Sequence, residues 1–342
     1  MKAVIAEQYG GVEVLEITDD LPVPRVGPHG VLVEVHAASV NPVDWKLRQG
    51  LLHAVMPVVF PVIWGCDLSG VVTEVGPSVT LFKPGDEVYS MKDGYVAKTY
   101  RGTYAEYVVV PEKSLAAKPR NLGHEEAAAV PLTALTAWQA MVNQGRLKPG
   151  QRVLIHAGAG GVGVMAIQIA KTFGAYVAAT ASTGNQNLLR ELGADLAIDY
   201  TREKIGKLRP KFDLALDGVG ESVWAESFRA LKLGGRLITL YPPIPQHSTG
   251  KPRFFATAIR GMSFGVARGL LGGKRLSMTR VKPRGGELEK ISALIEAGKI
   301  RPVVEKVFAL EQIAEAHRLS EAGHVRGKLV ISIHHPAASI EP

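Results

Sequence analysis

The sequence predicts an α/β protein of two domains, with a parallel-sheet domain inserted into a β-rich one. Three observations predict this. At 342 residues the chain is longer than one hydrophobic core usually organises. Its texture changes twice: short β-branched runs to about residue 123, strands alternating with helices to about 283, then β character again. And a glycine-rich turn at 158–163 joins a strand to a helix inside the alternating stretch.

In the first stretch, 1–123, residues 31–35 and 70–76 are β-branched runs bounded by Gly and Pro. Lys83-Pro84-Gly85-Asp86 sets Pro and Gly where a type II turn needs them, ahead of a strand at 87–89. Residues 103–110 form another strand, and the whole reads as a small β-barrel. The second stretch, 124–283, opens with helical segments at 125–129 and 133–142. A strand at 152–156 enters the glycine turn and a helix follows to Gly174. Strands at 176–180, 196–198, 212–216 and 235–240 alternate with helices near 187–192 and 223–231. Alternation of this kind builds a parallel sheet with helices on both faces. Residues 253–273 read as a helix, either packed on the surface or capping an active site, and 279–281 end the sheet. In the third stretch, 284–342, an amphipathic helix at 287–297 stops at Gly298, and strands at 303–304 and 328–333 return to the first domain.

Composition excludes several classes. Forty Lys and Arg against 32 Asp and Glu give a net charge of +8. The excess is dispersed, without a dense basic block or nucleic-acid motif, so it reads as solvated surface that can steer an anionic ligand. One cysteine, Cys66, permits neither an internal disulfide nor a multi-cysteine zinc lobe. Apolar stretches are broken well short of a membrane span. The first seven residues, ending in Glu7, resemble neither a signal nor a transit peptide, so a cytoplasmic location is expected.

Gly158-Ala159-Gly160-Gly161-Val162-Gly163 matches G-x-G-x-x-G. With 37 glycines in the chain the pattern alone is weak, but its place between an apolar strand and an apolar-periodic helix makes it specific. Gly158 is expected to allow the tight strand exit, Gly160 to let backbone approach a pyrophosphate, and Gly163 to let helix and strand pack. The helix N-terminus offers free N–H groups and partial positive charge to the phosphates. A site for NAD places an acid about 20 residues on, to hold the ribose 2′-hydroxyl. Here Thr180-Ala181-Ser182-Thr183-Gly184-Asn185 contains none, which favours NADPH over NADH. Arg190 and Arg202 are the nearest cations that can reach a 2′-phosphate; both also read as solvated surface. A Y-x-x-x-K match, Tyr200 to Lys204, lies too close behind a mid-chain turn to be more than chance.

Five further segments carry a family likeness: Ser39-Val40-Asn41-Pro42-Val43-Asp44, Gly65-Cys66-Asp67-Leu68-Ser69-Gly70, Gly102-Thr103-Tyr104-Ala105-Glu106-Tyr107, Pro131-Leu132-Thr133-Ala134-Leu135-Thr136-Ala137-Trp138 and Gly323-His324-Val325-Arg326-Gly327-Lys328. With the glycine turn they make the chain resemble the medium-chain dehydrogenase/reductase superfamily nearly end to end. Within it the chain is similar to the quinone oxidoreductase branch, in the group around reticulon-4-interacting protein 1. The resemblance implies a Rossmann parallel-sheet cofactor domain inserted in a GroES-like β-barrel catalytic domain, and a homodimer. It also implies that Asn41, Thr136, Tyr200, Leu240 and Lys328 join Ser182, Thr183 and residues 158–163 at the cofactor. Tyr200 reads equally as a plain loop tyrosine.

Zinc enzymes of this superfamily carry a Cys near the position of Asn41 and Gly-His-Glu where this chain has Gly65-Cys66-Asp67. A catalytic zinc needs about three converging ligands, and adjacent Cys66 and Asp67 do not both reach one ion from an extended backbone. No metal is expected. Cys66 then reads as a buried small residue and Asp67 as a hydrogen-bonded structural carboxylate. Without zinc, Asn41 can donate its amide to a substrate carbonyl, although Asn-Pro is also a turn former. Asp44 and Lys46 can supply or relay a proton, or stand as surface charges. The expected reaction is hydride transfer from NADPH to a quinone or an α,β-unsaturated carbonyl bound in a cleft between the domains. The alternatives are a zinc-free NADP-dependent alcohol dehydrogenase and a non-catalytic dinucleotide-binding protein.

Overall fold

The computed structural model describes residues 1–53, 56–92, 101–208, 211–240, 263, 267 and 272–333. The expected helix at 253–273 therefore lies almost wholly outside the described residues. The chain forms two compact units, Met1–Leu135 with Lys282–Pro342, and Thr136–Val281. The sequence reading placed the first boundary at 123/124. In the structure the helix His124–Ala128 packs on strands of the first unit, which moves that boundary onward.

Among the described residues the first unit holds a seven-stranded sheet and a three-stranded one. In the larger sheet β15 (Val304–Ala309), β16 (Lys328–Ser332), β3 (Gly30–Val40), β5 (Asp67–Val75), β6 (Glu87–Met91) and β8 (Leu115–Ala117) lie side by side. Strand β7 (Tyr107–Pro111) also pairs β3. The smaller sheet is β2 (Glu16–Thr18), β1 (Ala3–Ala6) and β4 (Val62–Ile63). The period-two pattern drives the packing: Val31, Val33 and Val35 of β3 meet Val108 and Val110 of β7, Val72 and Val88 in one buried cluster. Leu329 and Ile331 of β16 join Ala3, Trp64, Leu47, Tyr104 and Phe308 in another, while Val330 faces the opposite way onto Ala128 and Ala129. Strand β16 is thus buried on both faces.

Among the described residues of the second unit six strands run parallel, in the spatial order β11 (Leu196–Asp199), β10 (Tyr176–Ala181), β9 (Arg152–Ile155), β12 (Phe212–Asp217), β13 (Leu231–Thr239), β14 (Arg275–Met278). Numbered within the unit this is 3-2-1-4-5-6, the doubly wound order, with its switch point between β9 and β12. Ligands of such sheets bind beyond the strand C-termini at that point. Two local expectations differ from the structure. The helix Pro131–Trp138 gives way to a π-helical turn at Gln139–Gln144, where an uninterrupted helix to 142 was expected. The last strand is β14, not 279–281; Thr279 follows it, its N–H donating to the Thr239 carbonyl.

Candidate active site

Strand β9 runs into the glycine turn at the switch point. The helix Gly161–Thr172 starts there with Gly160 as its N-cap, and its first internal bond is Val164 N–H to Gly160 O, 2.9 Å. The amides of Gly161, Val162 and Gly163 precede that bond and so are the free donors of the helix end. Gly163 lies against the preceding turn: a Cβ there would sit 2.2 Å from Ala157 O. Gly158 is hemmed by Leu189, Ala179 and Ile167 side chains. The left-handed residue of the strand exit is Ala157, φ 52°, so the expected conformational task of Gly158 falls to its neighbour. Gly160 differs from both. The nearest atom to a Cβ there would be Ala157 O at 3.5 Å, an ordinary contact. The protein itself leaves that face open, as a cradle for an anion requires. These residues fit a dinucleotide pyrophosphate.

Beyond β10 the expected polar pair is present but engaged. Ser182 Oγ accepts from Asn185 Nδ2 at 3.2 Å, and Thr183 Oγ1 donates to Asp199 Oδ2 at 2.5 Å. Asp199 ends β11, in register with Ala181 of β10. An acid therefore stands beside the end of β10 after all, supplied by the next strand. The hydroxyls of Thr183 and Thr201 hold its carboxyl below the ordinary range, and Arg202 Nε lies 3.7 Å away. Tyr200 is half exposed. Leu240 follows β13, its N–H donating to Asp217 O at 3.0 Å. Thr136 is buried in the helix Pro131–Trp138, and Arg190 is tied to Asn187.

In the first unit Asn41, Cys66, Asp67 and Lys328 converge in the interior. Asp67 Oδ2 accepts from Ser39 Oγ (2.8 Å) and Asn41 Nδ2 (2.9 Å), and Oδ1 accepts from the Leu132 N–H (2.7 Å) near the start of the helix Pro131–Trp138. Lys328 Nζ donates to Asn41 Oδ1 (2.5 Å) and Val40 O (2.8 Å). Asp67 is the structural carboxylate that the sequence suggested. Asn41 was expected to offer its amide outward; here that amide is 1% exposed and bonded to Asp67 and Lys328. Cys66 Sγ is 3.5 Å from Asn41 Nδ2. Protein zinc sites gather thiolates, imidazoles and carboxylates. This set is one thiol, one carboxylate, a carboxamide and an ammonium, and it does not fit zinc. Among the described residues no group of three His, Cys, Asp or Glu is arranged to hold a metal ion.

Asp44 is fully buried rather than a surface charge. Its Oδ2 accepts from the Asn41 N–H (2.7 Å), capping the helix Pro42–Arg48, and from Tyr104 Oη (3.1 Å). Behind it Tyr104 meets His317, and buried Arg48 pairs with Glu321. Burial, then Asp44, pushes the Tyr104 phenol well above its usual range. Lys46 is half-buried with Nζ 5.3 Å from the Trp45 ring, and burial lowers the pKa of its amine. Sequence reasoning missed Ser39, Tyr104 and Asp199 as partners. The first two lay inside quoted motifs, but only the fold shows which carboxylates they serve.

The description "Alcohol dehydrogenase GroES-like domain" matches residues 27–120, and "Zinc-binding dehydrogenase" matches 192–331. The chain is 38% identical to NAD(P)H oxidoreductase RTN4IP1, mitochondrial, of Danio rerio over 97% of its own length and 91% of that protein's. The chain belongs to the medium-chain dehydrogenase/reductase superfamily. Within this superfamily it lies in the quinone oxidoreductase-like branch. It is also 38% identical to NADPH-dependent alkenal/one oxidoreductase, chloroplastic, of Arabidopsis thaliana, covering 97% of this chain and 79% of that one. The quinone oxidoreductase structure from Coxiella burnetii superposes with a TM-score of 0.83 at 33% identity, covering 98% of this chain and 99% of that one. The expected architecture, a Rossmann sheet within a GroES-like unit, is that of the superfamily.

Proposed function

We propose that this oxidoreductase reduces quinones or α,β-unsaturated carbonyls with NADPH and without zinc. The observation that carries the reading is the open face of Gly160 at the sheet's switch point, beside three free helix amides. Relatives named as NAD(P)H, alkenal/one and quinone oxidoreductases support it. Residues 158–163 hold the pyrophosphate, and Ser182, Thr183, Tyr200, Leu240, Thr136, Asn41 and Lys328 complete the cofactor's surroundings. Bound there, NADPH supplies the hydride. Lys46 supplies the proton: its ammonium protonates the carbon or oxygen that gains charge when hydride adds. Asn41 shapes the polar wall beside the reacting centre, and Asp44 holds the helix that carries Lys46. No described helix is long and apolar enough to cross a membrane; the homodimer and the cytoplasmic location belong to this proposal.

The test is NADPH consumption with a panel of quinones, enones, alkenals and simple alcohols, run beside NADH and with a chelator present. Reduction of an enone or quinone, with preference for NADPH and no loss on chelation, is the expected result. Oxidation of alcohols alone, or activity abolished by the chelator, defeats the reading.

A further inference from the structure

Lys328 opens β16 and is 5% exposed; Asn41 and Asp67 are 1% and 0% exposed. Its ammonium has three N–H groups and meets three oxygens: Asn41 Oδ1 at 2.5 Å, Val40 O at 2.8 Å and Asp67 Oδ2 at 3.6 Å. These oxygens come from the end of β3, the residue after it and the start of β5, and Asp67 also receives the Leu132 N–H. Several chain segments turn oxygen donors toward one positive centre in a dry interior. That is the arrangement a protein builds around a bound cation. Here the cation is covalently part of the chain.

We propose that the Lys328 ammonium is the resident cation of this site: it neutralises Asp67, fixes the direction of the Asn41 carboxamide, and closes the site to zinc. The carboxamide is nearly symmetric in shape, so its neighbours decide which end points where. Oδ1 faces the ammonium and Nδ2 faces the carboxylate. The reverse would set N–H against N–H and oxygen against oxygen. Lys328 is therefore a positioning residue acting through Asn41. That Asn41 stands near the reacting centre rests on the proposed function; the charge pairing and the exclusion of zinc do not.

The whole chain is dialysed against zinc, then against buffer, and its metal content and Tm are measured. No retained zinc, and a Tm indifferent to zinc or chelator, are expected. One zinc held per chain overturns the proposal. Lys328→Met leaves Asp67 buried without its counter-ion and lowers Tm by about 8 °C. Adding Asp67→Asn removes the stranded charge and recovers roughly half of that loss or more. If the single variant does not fold, recovery of a folded double variant carries the same result. A double variant no more stable than the single overturns the charge pairing. In Lys328→Ala, ethylammonium raises Tm and restores kcat; zinc does neither. Rescue of Tm without kcat overturns the positioning role. A parent enzyme that reduces no acceptor sinks the proposed function instead, while the zinc and Tm arms still decide this inference.

Discussion

At Gly160 and Gly163 one added methyl group has two different fates. At Gly163 it would strike a backbone oxygen at 2.2 Å, and neither the helix nor the turn can yield. Gly163→Ala should therefore lose stability and cofactor binding together. At Gly160 the chain has room, so Gly160→Ala should leave Tm within about 3 °C of the parent, since only a helix cap is weakened. Its NADPH affinity should fall about 100-fold or more, because a methyl replaces about 3 kcal/mol of amide–phosphate contact. Thermal melts and cofactor titrations of the two variants separate the tasks; an intact NADPH affinity in Gly160→Ala would refute the cradle. Lys46→Met should lower kcat about 100-fold, the usual loss of a general acid. The acid must be protonated to act, so the parent's rate should fall as pH rises, and burial brings that fall below the ordinary lysine value of 10.5. A pH–rate profile unchanged in the variant removes Lys46 from the reaction.

Among elements, the helix Pro42–Arg48 is the most informative. Asp44 serves its N-terminus and the Tyr104 hydroxyl. Asp44→Asn should cost about 1–3 kcal/mol, the range for disturbing a buried charged acceptor. It should leave the shape of the pH–rate profile intact; loss of a limb would make Asp44 a proton carrier. Strands such as β3, β5, β9, β10 and β12 and the glycine turn were legible because each is written in local period or punctuation, whereas the short β1, β2, β4 and β8 were not foreseen. The π-helical turn at Gln139–Gln144 was not, since nothing in its residues departs from ordinary helix formers. Asp199 was missed for a different reason. The rule that seeks an acid after the second strand reads along the chain, whereas this acid arrives sideways, from the adjoining strand in register with Ala181. The inward amide of Asn41 was illegible too, because its partner Lys328 lies 287 positions away.

For the molecule as a whole, three histidines shape the response to acid. Burial takes His317 down to about 3 and His124 to about 4, and His156 lies below its ordinary value for the same reason. Folded, they stay neutral; unfolded, each takes up a proton near pH 6.5. Their effect is absent above that pH. Stability is lost as pH falls from 6.5 toward those depressed values, by about 1.4 kcal/mol per pH unit for buried His317 and less for His124. Melting curves between pH 7.5 and 5 should show this decline, and His317→Gln should flatten it. A flat profile in the parent would mean that the rings titrate freely.

The strand β16 lies between β15 and β3, in the interior of the first unit's larger sheet. The second unit is an uninterrupted stretch of chain, Thr136–Val281, but the first takes its strand β16 from near residue 330. During translation the cofactor unit can finish while ribosomal synthesis continues, whereas the nascent β-rich unit must wait with a gap in its sheet. The amine that completes the buried cluster emerges only after the whole of the second unit, so a premature stop codon shortly before 328 would leave one unit whole and the other unsealed.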